Sequence, residues 1–176
     1  MHASFARGRA LAVATAAVAL GAATMPAAAG ADPTGPVSVE LNSAFLLPGG
    51  IPRPQGSIKL QTALRGAVEL PVPGDPDGSG NAQIFADAAN NQICYNLNWS
   101  GITNPLAAHI HKAPSNSFTV VPSPALFDSP TPVKSPVGGC VTWPAELVQD
   151  IVNNPSAYYV NVHNQDYPAG ALRGQL

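Results

Sequence analysis

From residue 58 to the C-terminus, apolar and polar residues alternate with a period of two in short runs at 58–70, 82–88, 92–99, 107–111, 117–121, 137–143, 157–163 and 171–176. Successive side chains of an extended chain point to opposite faces, so each run predicts a strand with one buried face. Clusters of turn-forming residues separate the runs, such as Pro73-Gly74-Asp75-Pro76-Asp77-Gly78 and Asn90-Asn91. Many short strands at this spacing predict an all-β fold, a Greek-key-like β-sandwich or barrel.

One stretch departs from the alternation. Residues 144–153 put Pro144 in a first helical turn, Glu146 where it complements the helix dipole, and Leu147, Val148 and Ile151 on one stripe, with Pro155 beyond as a stop. This predicts a short helix. About ten residues cannot bury a core alone, so the helix is expected to cross one open end of the strands. Pro122, Pro124, Pro130, Pro132 and Pro136 remove too many backbone donors for an inner strand, and 122–136 is expected to be a surface loop or frayed edge. Residues 32–57 are rich in Pro and Gly and predict a leader strand at 37–47 followed by a loose connection.

The alternation also assigns faces. Ile93, Tyr95, Leu97 and Trp99 take the core side of their run and leave Cys94, Asn96 and Asn98 opposite. Tyr158, Val160 and Val162 point inward, which turns Asn161 and His163 outward, and Ile110 points inward between His109 and His111.

Composition narrows the function classes. Only 10% of residues are charged against 45% hydrophobic, whereas charged residues usually make up about a quarter of a soluble domain. A charge-laced helical bundle is therefore excluded, and the surface must rely on neutral polar groups. A formal charge of -2 provides no cationic excess for a phosphate backbone, so nucleic acid is not expected as a partner.

Residues 1–31 carry Arg7 and Arg9, then an Ala-rich apolar run over 10–25, then Ala29-Gly30-Ala31. This predicts a signal peptide cleaved before Asp32. The run falls short of the roughly 20 strongly apolar residues that an anchor needs, so no transmembrane segment is expected in the exported part. Arg7-Gly8-Arg9 is not a twin-arginine pair, and no lipobox cysteine follows. The expected organisation is a signal peptide over 1–31, a leader strand and Pro/Gly-rich connection over 32–57, and a β domain over 58–176, in a secreted or extracytoplasmic protein. The chain has two cysteines, Cys94 and Cys140, and an oxidising compartment favours a bridge between them. With Cys94 on the polar face, that bridge would clip the outside of the sandwich or tie a loop to it; the pattern leaves both open.

The candidate chemistry lies in the histidines. On a strand, His109 and His111 share a face roughly 6.6 Å apart, close enough for both rings to turn onto one ion. His163 is also expected on an outward face. Three imidazoles without a carboxylate or thiolate would suit Cu or Zn better than Mg or Ca. The plain alternative is three separate surface histidines bonded to turn carbonyls, and spacing alone does not place the rings on one sheet. Asp75-Pro76-Asp77-Gly78-Ser79-Gly80-Asn81 resembles a Ca loop but has Ala86 where the bidentate Glu should stand. Asn98-Trp99-Ser100 is a glycosylation sequon, and no Gly-x-Ser-x-Gly elbow or phosphate loop occurs.

Several stretches together resemble a chordin-type (CHRD) domain: Leu64-Arg65-Gly66-Ala67-Val68-Glu69-Leu70-Pro71, Cys94-Tyr95-Asn96-Leu97, Ala108-His109-Ile110-His111, Tyr159-Val160-Asn161-Val162-His163-Asn164 and Tyr167-Pro168-Ala169-Gly170-Ala171-Leu172-Arg173-Gly174-Gln175-Leu176. The resemblance covers about 58–176. It implies an exported β-sandwich or barrel acting as an extracellular binding or structural module, with an extracellular or envelope ligand that the sequence does not identify. The chordin role in antagonising growth factors is not carried over to a single copy.

The pattern is also similar in outline to the Cu/Zn superoxide dismutase fold. That similarity implies a copper set of His109, His111 and His163, with Arg173 guiding an anion. Beyond the signal no further histidine remains to bridge two metals or build a zinc site, so a two-metal enzyme is excluded and a copper-only relative is the alternative function. Arg173 has its own alternative, a structural hydrogen bond to carbonyls near the chain end. No cofactor is assured by the sequence, and copper is the candidate.

Overall fold

The computed structural model describes residues 46–119, 121 and 124–176. The expected signal peptide and most of the expected leader strand lie outside the described residues. The described residues begin with a small hairpin of β1 (Leu46–Leu47) and β2 (Ile51–Pro52). It continues through β3 (Ile58–Arg65), β4 (Ser79–Asp87), β5 (Gln92–Ser100), β6 (Ala107–Lys112), β7 (Ala125–Asp128), β8 (Val137–Thr142), α1 (Ala145–Asn153), β9 (Tyr158–His163) and β10 (Leu172–Gln175).

Strands β3 to β10 form one antiparallel sheet in the order β7-β6-β9-β10-β3-β4-β5-β8. The β3-β4-β5 meander is followed by crossovers that place β6 and β9 on the far side and bring β10 between β9 and β3, as a Greek-key-like path requires. The outermost strands β7 and β8 approach each other without a ladder, so the sheet is a nearly closed barrel. Tyr95 of β5 and Phe127 of β7 meet across this gap with ring centroids 6.4 Å apart.

The predicted inward set fills the barrel. Ile93, Tyr95, Leu97, Trp99, Ile110, Tyr158, Val160 and Val162 are all buried in one cluster with Leu64, Ile84 and Leu172. Helix α1 adds Val148 and Ile151, both fully buried, to the same cluster. Each such side chain contributes roughly 1.5–3 kcal/mol of burial. The Pro144 carbonyl accepts the backbone N–H groups of Leu147 and Val148, which starts the helix one residue after the proline. Asp150 then holds the helix to the barrel, accepting from Lys112 Nζ at 2.5 Å and from the Tyr158 hydroxyl.

Cys94 and Cys140 are bonded. They lie on the outward face between β5 and β8, in an apolar patch with Phe85 and with Leu47 and Ile51 of the β1–β2 hairpin. Of the two positions left open, the bridge takes the one that clips the outside of the barrel.

One expected strand is shortened and another is absent. The first run ends at Arg65 and turns through a 3-10 segment over Gly66–Val68. A Cβ on Gly66 would stand 1.8 Å from the Asp75 carbonyl oxygen, so the chain must bend where no side chain is present. Residues 117–119 are not a strand: the Ser117 carbonyl accepts from the Arg173 side chain and is not in a ladder. Within the proline-rich 122–136 segment, Ala125–Asp128 pairs only with β6 and forms a four-residue outer strand, the frayed edge that the prolines predict.

Candidate metal centre

The site stands on the outward faces of β6, β9 and β10. His109 is the register partner of Asn161, which is in turn the partner of Arg173; His111 is the partner of Tyr159, and His163 of Ala107. With Ile110, Val160 and Val162 committed to the core, residues 109, 111, 159, 161 and 163 have only the other face available. Yet β9 is buried over nearly its whole length, because segments 66–71, 113–119 and 164–170 lie over this face.

The structure brings all three histidines together. Ring centroids are 5.0 Å apart for His109 and His163, 5.6 Å for His109 and His111, and 6.4 Å for His111 and His163. One candidate ligand nitrogen from each ring lies within 4.8 Å of the others. Nitrogens held at about 2.0–2.1 Å by one tetrahedral ion are about 3.3 Å apart, so small rotations of the rings close the cage.

Each ring engages one side with protein and keeps one nitrogen free. His163 Nδ1 is 3.1 Å from the Pro168 carbonyl oxygen. His109 Nε2 is 3.4 Å from Asp128 Oδ1, and His111 has a backbone hydrogen bond with Val121. His109 Nδ1, His111 Nδ1 and His163 Nε2 are buried without a hydrogen-bond partner. An unsatisfied buried polar atom costs about 1–3 kcal/mol, and engaging the remote ring nitrogen is how proteins orient a metal-ligating histidine. Burial, reinforced by the neighbouring His109, lowers His163 to about 4. Burial first, then the charges of His109 and Arg173, lowers His111 as well. Both rings are therefore neutral at pH 7 with a lone pair to offer. The cluster is three nitrogens with no carboxylate or thiolate among the described residues, a donor set that fits Cu or Zn and not Mg or Ca.

Arg173 is almost fully buried. Its guanidinium lies over the Tyr159 ring, Cζ 3.6 Å from the centroid, and Nη2 donates to the carbonyls of Pro114 at 3.2 Å and Ser117 at 2.6 Å. These carbonyls belong to the covering 113–119 segment and not to the chain end. Arg173 thereby clamps that segment onto the face that carries the histidines.

Other residues of the site carry weaker sequence signals. Tyr159 follows from the alternation that also places Asn161 and His163. Glu69 and Asp128 come from a turn and a short outer strand, where no periodicity points to them. Glu69 is buried and accepts the Leu70 N–H through Oε1 at 2.9 Å. Burial raises its carboxyl above the ordinary range, opposed by that hydrogen bond and by the Arg173 charge. A Cβ on Gly170 would stand 2.3 Å from Glu69 Oε2 and 2.7 Å from Asn161 Oδ1, so only glycine fits beside them.

No described helix is long and apolar enough to cross a membrane. No curated protein and no solved structure matches the chain. The family model of the CHRD domain matches residues 60–176, a span that includes β4 to β10, all but the first two residues of β3, and the three histidines of the site. The chain belongs to the CHRD domain family.

Proposed function

We propose that this chain is an exported extracellular binding module whose outward strand face holds one copper ion through His109, His111 and His163. The observation that carries this reading is the meeting of three ring nitrogens within 4.8 Å, with a partnerless buried nitrogen on every ring. Neutral imidazoles accept Cu or Zn, and the general affinity order of first-row ions puts Cu(II) above Zn(II) at such a site. Export is supported by the Arg7 and Arg9 start, the Ala-rich run behind it, and a Cys94–Cys140 bridge suited to an oxidising compartment. A CHRD domain fits an extracellular binding or structural role, and the metal gives such a module a specific ligand.

The test is elemental analysis of untagged protein loaded with Cu(II) and then desalted. A single copper ion per chain is expected for the wild type, and loss of it in His163→Ala and in His109→Ala while circular dichroism stays that of the folded barrel. Copper at no more than trace level in the wild type would end this reading.

A further inference from the structure

Beside the histidines the outward face is hollowed into a cavity of about 350 Å³. His111 and His163 line it, together with Tyr159 and Asn161 of β9 and with Leu70, Pro71 and Phe118 from the covering segments. It therefore adjoins the place that the three ring nitrogens surround. Three protein ligands on a Cu or Zn ion leave at least one position open, and the properties of the cavity determine what can occupy it.

Most of the wall is apolar. Phe118 is 43% exposed, a large ring left partly in water at the cavity with surface to gain from an apolar ligand. The charge requirement is as definite. Imidazole ligands bring no negative charge to an ion, Arg173 adds positive potential at His111, and no carboxylate side chain lines the cavity itself, Asp128 lying behind His109 and Glu69 beside Gly170. Charge removed from water needs a counter-charge, which favours an anion at the open position.

We infer that the cavity takes a small aromatic oxyanion, its oxygen at the open metal position beside His111 and His163 and its ring against Pro71 and Phe118. This inference rests on the three-histidine copper site proposed above.

The experiment titrates copper-loaded protein, its metal content measured first, with benzoate and with acetate while following the Cu(II) electron paramagnetic resonance spectrum. Benzoate is expected to bind roughly tenfold more tightly than acetate, the gain coming from ring burial. Phe118→Ala should keep its copper and lose most of that preference. Equal affinities for benzoate and acetate in copper-loaded wild type overturn the inference and leave the metal site standing, as does a benzoate preference that persists unchanged in Phe118→Ala. Failure to retain copper overturns the metal site and this inference together. Should Phe118→Ala fail to fold, the wild-type ratio alone decides.

Discussion

Cys94 and Cys140 are direct register partners on β5 and β8, with their Cα atoms 4.0 Å apart. The bridge joins positions separated by 46 residues, and closing a loop of that size removes about 4 kcal/mol of chain entropy from the unfolded state. The double variant Cys94→Ala/Cys140→Ala should lose about 3–4 kcal/mol in urea unfolding. Reduced wild type should unfold at a similarly lowered midpoint. Identical midpoints with and without reductant would show that the bridge adds nothing.

Asp150 supplies an acid dependence. Hydrogen bonds from Lys112, from the Tyr158 hydroxyl and from Asn154 lower its carboxyl to about 2. A folded value below the unfolded one means that the carboxylate stabilises the fold fully above the ordinary carboxylate range, and that this contribution is lost as pH falls toward 2. Asp150→Asn should lower the melting temperature at pH 7 and flatten its fall between pH 4 and pH 2. A variant whose melting temperature tracks the wild type across that window would refute the assignment.

Arg173→Met removes both bonds to the covering segment and leaves buried Glu69 without the nearby positive charge. Breaking buried charge-assisted contacts in this way costs about 3 kcal/mol. The loss should be accompanied by faster amide exchange over 113–119 than in the β3-β4-β5 meander. Arg173→Lys keeps the charge but loses the planar stack on Tyr159, and should fall between wild type and Arg173→Met. Uniform exchange in Arg173→Met would contradict the clamp.

Gly170 sits at φ 151° beside Glu69 and Asn161. Gly170→Ala adds a Cβ that collides with both side chains, and the fold should lose about 1–3 kcal/mol. Because Asn161 stands across from His109, copper affinity should fall as well. A variant as stable as wild type would mean that the turn can move without cost.

Much of this molecule is legible as alternation. Ile93, Tyr95, Leu97 and Trp99 fill the core because every second residue of an extended chain must, and the same rule turns His109, His111 and His163 outward. That they converge is another matter: it depends on β9 lying beside β6, and strand order is a long-range property that no local period encodes. Residues 117–119 alternate like a strand, but the guanidinium of Arg173 takes the Ser117 carbonyl, a contact 56 residues away in sequence. Glu69 has no pattern at all, since its place is set by the turn after Gly66 and by the space that Gly170 leaves.

The missing ladder between β7 and β8 leaves two lengths of backbone whose hydrogen-bonding groups are not all satisfied within the sheet. Such a slot invites a strand from another molecule to zip in, the first step of runaway polymerisation. Pro124, Pro130, Pro132 and Pro136 flank those strands, and a proline has no N–H to offer an incoming chain. The prolines that bound β7 and β8 thus keep short the open edges along which another chain could pair.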